Sequence, residues 1–401
     1  MTTRNNNHAL PLLSIGTASL LSAQFFSALA DNAVLIIALA AVKARGTAGQ
    51  APFVQESFVL PFILLAPFTG YVADRFMKGH VMMLSNILKF SGAGFMAAGM
   101  NPVVAYLLVG IGAAFYSPAK YGILTQLYEP QVLVRANSLL EGSTVVAILL
   151  GVLFGGWLAD QAAASAFSSV MIIYALAAGA NLLIPRVHAE HAEEAFRFRG
   201  QVRRFTASFK TLFSDADARL SMLGTGIFWG IGITLRLLLF AWAPIALSRT
   251  DNRTPANLMG LVSVGIVAGA AIAGRWITLG TYHRALIGGV MLGPILLALS
   301  VVHDLRTAAL LMAAIGFFGG IFVVPLNAVL QERGHRTVGS GNALAIQNFV
   351  ENLGMLLFVG AYFTADAAGL SIRSSITCFG LIILFAVISI IARNRRNAAA
   401  I

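Results

Sequence analysis

The stretch Gln24-Phe25-Phe26-Ser27-Ala28-Leu29-Ala30-Asp31-Asn32-Ala33 places polar residues in the middle of an apolar run that extends from 12 to 42. An aspartate at the centre of a membrane-spanning helix costs about 3 kcal/mol, so its side chain must find polar partners. On a helix, Gln24, Ser27 and Asp31 share one face because they are spaced i, i+3 and i+7. This face must contact other protein or a water-filled cavity, which predicts the first span of a helical bundle.

The composition is that of a polytopic membrane protein. Hydrophobic residues make up 58% of the 401-residue chain and charged residues only 11%, whereas soluble domains carry about 25% charged residues. The net charge of +11 is spread over short loops, which indicates positive-inside topology rather than nucleic-acid binding. The only cysteine, Cys378, excludes an internal disulfide, and the seven histidines lack metal-ligand spacing. We therefore expect no metal or cofactor.

Twelve apolar runs are long enough to cross about 30 Å of hydrocarbon, which needs about 20 helical residues. The first run is too long, and its charge too central, for a cleavable signal peptide. Most lysines and arginines outside the spans lie in cytoplasmic segments if both termini are cytoplasmic, so we predict that orientation. The predicted fold is an all-α membrane protein with twelve transmembrane helices, at 12–42, 53–73, 81–100, 102–127, 136–159, 165–184, 220–247, 257–279, 285–302, 306–330, 340–365 and 372–392.

The one long connection, residues 185–219, divides the chain into predicted six-span halves at 1–184 and 220–401. Similar or opposed residues recur in the two halves at separations of 204 to 207: Gly70 with Gly274, Asp31 with Arg236, Asn137 with Asn342, and Pro118 with Pro325. This register indicates a parallel duplication, with the halves related by a pseudo-two-fold axis and a substrate site between them. The cytoplasmic connection itself allows two interpretations, a solvated linker or an amphipathic surface helix carrying Phe196, Phe198, Phe205, Phe209 and Phe213.

The loop between the second and third spans reads Gly70-Tyr71-Val72-Ala73-Asp74-Arg75-Phe76-Met77-Lys78-Gly79-His80. It resembles the cytoplasmic signature of the major facilitator superfamily, with His80 where a firm positive charge is usual. We expect Gly70 to allow close helix approach, Asp74 to accept hydrogen bonds from a helix N-terminus, and Arg75 to bridge to a carboxylate. With Lys78 and Gly79, these residues form a predicted gating latch; the alternative is a merely solubilising, positive-inside loop. The second-half copy has Thr278 in place of the acid.

Four of the charged residues within the spans are candidates for a cavity between the halves: Asp31, Lys120, Arg236 and Glu351. The repeat sets Asp31 opposite Arg236, so we predict a network of Asp31, Arg236 and Glu351, because buried charges persist when they are paired. The alternative is a structural ion pair that only joins the halves. Lys89, in the third span, is interpreted as snorkelling or as meeting lipid phosphate.

The eleventh span is unusually polar. Gln347 and Glu351 share one face at i, i+4, and Asn348 and Asn352 share the adjoining face. This pattern favours a hydrated cavity, although helix–helix hydrogen bonds would explain one or two of these residues. Gln24 and Asn32 of the first span are predicted to line the same cavity, and a similar i, i+4 pair, Asn137 and Glu141, opens the fifth span.

Three strings make a more specific resemblance: residues 23–33, 116–124 (Tyr-Ser-Pro-Ala-Lys-Tyr-Gly-Ile-Leu) and 323–334 (Val-Val-Pro-Leu-Asn-Ala-Val-Leu-Gln-Glu-Arg-Gly). They resemble the bacterial lysophospholipid transporters, multi-pass major facilitators of the inner membrane. The resemblance implies transfer of lyso-phosphatidylethanolamine and lyso-phosphatidylglycerol from the outer to the cytoplasmic leaflet. It further implies re-acylation by a partner acyltransferase/acyl-acyl-carrier-protein synthetase, and functional roles for Asp31, Lys120, Arg236 and Glu351.

Other functions remain as alternatives. A proton-coupled exporter of drugs or small amphipathic solutes would use Asp31 and Glu351 as proton carriers, and an inactive transporter fold would act as a scaffold. No enzymatic constellation and no nucleotide-binding P-loop is present in the sequence, so we expect neither catalysis nor ATP-driven transport. We expect the protein to act as a monomer and to bind membrane lipid and no nucleic acid.

Overall fold

A computed structural model describes residues 11–12, 14–46, 50–189, 197–248 and 253–399. Two short 3-10 helices lie at Pro130–Val132 and Leu279–Ala285. The α-helices are α1 (Ile15–Ala44), α2 (Ala51–Leu64), α3 (Ala66–Arg75), α4 (Lys78–Ala97), α5 (Pro102–Gly122), α6 (Leu124–Leu127), α7 (Leu133–Ala159), α8 (Ala163–Leu182), α9 (Phe198–Ser214), α10 (Ala216–Ala246), α11 (Arg253–Trp276), α12 (Leu286–Ser300), α13 (Leu305–Thr337), α14 (Ser340–Ala367) and α15 (Ile372–Ala399).

Within the described residues, ten helical segments are long and apolar enough to cross a membrane, and α2 with α3 supplies an eleventh as a span bent by 64°. The bend lies at Leu65, between Pro61 and Pro67, because proline removes a helical hydrogen bond. The 20-residue helix α4 coincides with the predicted third span and is less apolar, since it contains Lys78 and Lys89. The helices therefore follow the twelve predicted spans, and the predicted fold class is confirmed.

The helices pack in two groups. Helix α1 packs on α7 and α8, and α4 packs on α5 and α8; in the second group, α10 packs on α14, α11 on α13, and α12 on α15. The groups meet along two seams, α3 with α14 and α7 with α11. The first seam joins spans 2 and 11, and the second joins spans 8 and 5. Spans 2 and 8 are equivalent in the repeat, as are spans 11 and 5, so the pseudo-two-fold axis relates one seam to the other.

Both seams lie at the end of the bundle that carries the loop between α3 and α4, which we call the signature end. At the first seam, a Cβ on Gly70 would lie 2.8 Å from the Cα of Asn342. At the second seam, a Cβ on Gly274 would lie 2.6 Å from the Oγ of Ser138. The repeat thus places two equivalent glycines at equivalent crossings, where each permits close helix approach.

Part of the central connection forms a helix at the signature end. Helix α9 packs Phe198 against Phe68, with ring centroids 4.9 Å apart, and Phe205 against Phe349 at 5.7 Å. Its basic side chains Arg199, Arg203 and Lys210 are exposed, which gives α9 one apolar and one cationic face. An amphipathic helix is therefore present, while Phe196 lies outside the described residues.

The crossing of α11 and α13 depends on small residues. A side chain at Gly316 would overlap the carbonyl oxygen of Val262. We expect Gly316→Leu to lower the melting temperature of the detergent-purified protein, because overpacking costs about 1–3 kcal/mol. Gly260→Leu is the matched control on α11, since a Cβ there meets nothing within 4 Å. Equal stability of the two variants would contradict this account of the crossing.

Candidate functional site

A cavity of about 280 Å³ lies between the two helix groups. Its polar lining comes from both groups, and its apolar lining includes Phe58, Phe62, Trp229 and Met355. The polar lining residues are Ser117, Lys120, Tyr121, Glu141, Thr144, Asn327, Gln347, Asn348, Glu351 and Asn352. The structure thus brings together Lys120 and the four polar residues predicted on the eleventh span.

A chain of hydrogen bonds crosses this central cavity from one group to the other. Glu141 Oε1 accepts from Tyr121 Oη at 2.5 Å and from Asn327 Nδ2 at 3.1 Å. Gln347 Nε2 donates to Asn327 Oδ1 at 2.6 Å and to Glu351 Oε1 at 2.8 Å. Two carboxyl groups, one from each group, are therefore joined through amides. Because such networks polarise their members cooperatively, loss of one bond weakens its neighbours.

Lys120 supplies the cation of the central cavity. Its side chain is 7% exposed, and its Nζ lies 4.0 Å from the ring centroid of Tyr121. This cation–π contact satisfies part of the charge and leaves the ammonium able to donate to a bound anion. One cation beside Glu141 and Glu351 is a charge pattern that suits a zwitterionic ligand.

Asn348 and Asn352 differ in what they bond. Asn348 and Ser117 are mutually hydrogen-bonded, at 3.2 and 3.0 Å, across the two groups. Asn352 Nδ2 donates to the backbone oxygen of Asn348 at 2.7 Å. The two explanations offered for the polar eleventh span therefore both apply: its residues form helix–helix hydrogen bonds and also line a polar cavity.

Asp31 is bound inside the first helix group, away from the lining of the central cavity. Lys89 Nζ lies 2.8 Å from Asp31 Oδ2, and Tyr174 Oη donates to Asp31 Oδ1 at 2.8 Å. Lys89 also donates to Ser27 Oγ at 3.0 Å and lies 4.7 Å from the ring centroid of Tyr116. The structure replaces the predicted partner Arg236 with Lys89, because α4 packs against α5 and α8 and directs Lys89 inward.

The interpretation of Lys89 as a snorkelling or lipid-facing residue is therefore corrected. Its side chain is 1% exposed, so the ammonium has no access to a lipid headgroup. A buried ammonium requires an anion at short distance, which Asp31 supplies.

Arg236 does not join Asp31 or Glu351. It is exposed, about two-thirds of the way along α10, and among the described residues it forms no hydrogen bond or ion pair. Residues at equivalent positions of a parallel duplication are related by the axis, and they touch only where the axis passes between them. The 205-residue correspondence with Asp31 therefore did not imply contact.

Gln24 and Asn32 lie behind the cavity wall rather than on it. Gln24 Nε2 donates to Thr144 Oγ1 at 2.9 Å, and Thr144 lines the cavity. Asn32 Nδ2 donates to the backbone oxygen of Ala28 at 2.8 Å, and a Cβ on Gly151 would lie 2.9 Å from its Cβ. Neither residue lines the central cavity, and Gln24 is one hydrogen bond behind it, through Thr144 of α7.

Asp74 binds the N-terminus of α14 from the other helix group. Its Oδ1 accepts from the Gly341 backbone N–H at 2.6 Å, and its Oδ2 accepts from the backbone N–H and the Nδ2 of Asn342, both at 3.0 Å. Asp74 thereby caps a helix N-terminus across the seam, where a carboxylate is favoured by the helix dipole. The buried Lys78 Nζ lies 3.9 Å from Asp74 Oδ1. This geometry is the contact expected of Asp74.

Arg75 and Gly79, two other residues of the predicted latch, do not bond to a described residue across the seam as Asp74 does. Arg75 stacks beside Tyr71 and Phe76, with its Cζ 5.8 Å from each ring centroid. Within the described part of the chain it forms no ion pair with a carboxylate, so Lys78 takes the ionic position beside Asp74 instead. Gly79 packs near Ile184, where an added Cβ would meet the side chain at 3.8 Å.

Comparison with known proteins decides the family. The Major Facilitator Superfamily matches residues 20–359. The lysophospholipid transporter LplT of Salmonella arizonae is 45% identical over 388 residues, covering 96% of this chain and 98% of that protein. LplT of Cronobacter sakazakii is 48% identical over 352 residues, covering 88% of this chain and 89% of that protein. This chain belongs to the lysophospholipid transporter family of the Major Facilitator Superfamily.

Solved structures support the fold of this transporter family. The human organic anion transporter MFSD10 (TETRAN) superposes with a TM-score of 0.78 at 14% identity, covering 95% of this chain and 100% of that chain. The transporter FucP in the outward conformation gives a TM-score of 0.75 at 17% identity, covering 94% and 98%. At such identities the likeness concerns the fold alone.

The sequence did not predict five polar residues that line the central cavity in this lysophospholipid transporter: Ser117, Tyr121, Glu141, Thr144 and Asn327. Glu141, Asn327 and Tyr121 complete the hydrogen-bond chain of the central cavity. A signal was present for Glu141, which shares a helix face with Asn137 in the fifth span, the repeat counterpart of the eleventh. Asn137 in turn exchanges hydrogen bonds with Gln331 at 2.8 and 2.7 Å across the groups.

The Asp31–Lys89 pair makes a stability prediction. Lys89→Met leaves a buried carboxylate without its cation, so we expect a loss of about 3–5 kcal/mol and a clearly lower melting temperature. The double variant Asp31→Asn/Lys89→Met should recover most of that loss, because neither charge then remains. Lys43→Met, at an exposed lysine, serves as the control. A double variant as unstable as Lys89→Met would refute the pairing.

The cap on α14 makes a conformational prediction. Asp74→Asn turns an amide NH₂ toward backbone donors, and a loss of about 2 kcal/mol would change a conformer ratio about thirtyfold. In a Cys378→Ser background, a cysteine replacing Asn352 reports access to the central cavity. We expect a membrane-impermeant maleimide, added at the signature end, to label it several-fold faster in Asp74→Asn. Asp160→Asn, at an exposed aspartate, should leave the rate unchanged; no acceleration by Asp74→Asn would contradict the cap as a latch.

Proposed function

We propose that this protein moves lysophospholipids from the outer to the cytoplasmic leaflet of the bacterial inner membrane by alternating access, without ATP. The proposed substrates are lyso-phosphatidylethanolamine and lyso-phosphatidylglycerol. Relatives named lysophospholipid transporters, at 45% and 48% identity over most of the chain, support this substrate class. The observation that carries the proposal is the central cavity, which sets one cation and two carboxyl groups between the two helix groups.

The charges of the central cavity fit the headgroup. Lys120 is proposed to pair with the lipid phosphate, for which an ammonium is a suitable point charge. Glu351 is proposed to accept from the ethanolamine ammonium, with Gln347, Asn348 and Asn352 supplying amides around it. Phe58, Phe62 and Met355 line the same space and suit the start of an acyl chain.

Arg236 and Asp31 are proposed to act at other stages. Arg236 is exposed nearer to the end opposite the signature end than Lys120 is, so it is placed to meet the phosphate before the headgroup reaches Lys120. Asp31 is proposed to fix the shape of the first helix group through Lys89, with Gln24 and Asn32 holding α1 against α7. In this proposal Asp31, Gln24 and Asn32 need not touch lipid in the state described.

Gating is proposed to use the contacts at the signature end. Among the described residues, the side-chain hydrogen bonds between the groups join parts of the helices near that end. Breaking them, including the Asp74 cap, would open the central cavity at the signature end and let the headgroup leave there. The distribution of lysine and arginine supports a cytoplasmic location for this end and for both termini. Gly70, Arg75, Lys78 and Gly79 would then belong to the inner gate.

The expected surroundings follow from the substrate. Delivered lysolipid is proposed to be re-acylated by an acyltransferase/acyl-acyl-carrier-protein synthetase on the cytoplasmic side. A monomer is proposed because one chain supplies both walls of the central cavity. A proton-coupled exporter gains no support, since Asp31 is bound by Lys89 away from that cavity.

Uptake of labelled lysolipids by spheroplasts tests the proposal. Lys120→Ala removes the cation for phosphate, which both headgroups share, so uptake of both lipids should fall at least tenfold. Glu351→Gln should reduce uptake of lyso-phosphatidylethanolamine more than that of lyso-phosphatidylglycerol, because the glycerol headgroup has no ammonium. The folded amount of each variant is measured in the same membranes.

Lys43→Ala is the control for loss of a lysine, because that side chain is exposed and outside the cavity. Lys120→Arg should retain part of the activity, since it keeps a cation at the site. Undiminished uptake of both lipids in Lys120→Ala would reject the proposed function. Undiminished uptake after deletion of the gene, in cells that lack other lysolipid transporters, would reject it as well.

A further inference from the structure

A second, larger space lies outside the central cavity, in a crevice of about 920 Å³ between α7 and α11. Its walls come from both helix groups, and it is within the range of sites that hold small-molecule ligands, about 300–1,000 Å³. Helix α7 separates the two spaces: Glu141 and Thr144 line the central cavity, while Gly142 and Ser143 line the crevice. One helix therefore presents one face to each space.

The signature end of the crevice is cationic. Arg135 of α7 and Arg275 of α11 line it from opposite walls, and both are exposed. A Cβ on Gly274, the neighbour of Arg275, would lie 3.5 Å from the Cα of Arg135, so the two arginines start from adjacent backbone. Within the described residues neither guanidinium forms a hydrogen bond or an ion pair. Two unsatisfied planar donors on facing walls favour an anion such as phosphate.

Apart from Gln131, Ser138, Ser143 and Thr278, the rest of the crevice lining is apolar, and it opens sideways. Leu139 and Val146 on α7 line it and are 42% and 38% exposed, and Leu153, two turns further along the same face, is 70% exposed. In a membrane, this face meets hydrocarbon. From Arg135 to Val146 the helix rises about 16 Å, which is about half of the 30 Å hydrocarbon thickness. The crevice thus has the length of one leaflet, with charge at its outer end.

We propose that this crevice binds a single-chain, phosphate-bearing lipid in the leaflet at the signature end. The phosphate lies between Arg135 and Arg275, and the acyl chain lies between α7 and α11 and reaches the middle of the membrane. The inference rests on the proposed function for the origin of the lipid: the crevice is the lateral station through which substrate leaves the space between the groups. Its chemistry is distinct from that of the central cavity, since it offers guanidinium groups and no carboxylate.

Gly142 provides a test that fills the crevice. A Cβ at Gly142 meets nothing within 4 Å, so the side chain introduced by Gly142→Phe has room to start into the crevice that this glycine lines. Gly156→Phe is the matched control on the same helix, since that glycine is also open, is exposed, and lies outside the crevice lining. The full-length protein in phosphatidylcholine nanodiscs is irradiated with lyso-phosphatidylethanolamine that carries a diazirine on its acyl chain. Labelled peptides are then mapped by mass spectrometry.

We expect labelling of the segments 139–146 and 267–271, at least fivefold weaker in Gly142→Phe and unchanged in Gly156→Phe. Arg135→Ala/Arg275→Ala should also weaken it several-fold, with partial rescue by lysine at both positions. Unlabelled lyso-phosphatidylethanolamine should compete, and monooleoylglycerol, which lacks phosphate, should not. If Gly142→Phe left the labelling unchanged, or if monooleoylglycerol competed as well as lyso-phosphatidylethanolamine, the labelling would come only from nonspecific boundary lipid. Either result would overturn the proposal. Spheroplast uptake decides the proposed function separately, because labelling is measured without transport.

Discussion

Buried polar groups in this protein must find their partners inside the chain, because hydrocarbon offers none. Two networks meet this constraint in different ways. Asp31 and Lys89 satisfy each other within one helix group, together with Tyr174 and Ser27. Glu141 and Glu351 are instead joined through Asn327 and Gln347, and the hydrogen bond from Asn327 to Glu141 crosses between the two groups.

This division suits a protein whose halves move. A pair within one group keeps its geometry when that group rotates as a body, so Asp31 and Lys89 can stabilise the group in every conformation. Bonds between the groups must break and re-form during each cycle, and amides and carboxyl groups can exchange partners with water in a wet cavity at small net cost. Membrane-embedded ion pairs that bridged the groups would resist that exchange, because separating them leaves two costly charges.

The sequence predicted those features that follow from local pattern. Hydropathy located the helices, with boundaries within four residues except at the C-terminal ends of α13 and α15, which run seven residues further. The small residue Gly70 indicated a close crossing, and Asp74 was correctly expected to accept hydrogen bonds from a helix N-terminus. The polar face of the eleventh span was also placed in the cavity. Each of these depends on spacing along a helix or on a short motif.

The contact partners of the charged residues within the membrane could not be predicted from spacing or from short motifs. Lys89 and Asp31 are 58 residues apart in sequence, and only the packing of α4 against α5 and α8 brings Lys89 inward. Arg236 was assigned to Asp31 from the repeat, but a repeat relates positions by symmetry and does not state how far they lie from the axis. Glu141 and Asn327 meet only because two helices from different groups cross at the cavity.

The repeat also explains why the two seams differ. At the α3–α14 seam, Asp74 caps the N-terminus of α14 with three hydrogen bonds. The equivalent position in the second copy is Thr278, which has no carboxylate, and the α7–α11 seam is bonded there by Ser138 Oγ to the backbone oxygen of Ala270 at 2.5 Å. One seam is thus latched by charge while its symmetry mate relies on close contact at Gly274 and a neutral hydrogen bond, which is weaker. The crevice with Arg135 and Arg275 lies along this weaker seam. Loss of the acid in the second copy therefore removes a latch on the side where a lipid would need to pass, and it leaves the guanidinium groups without a carboxylate that would compete with phosphate.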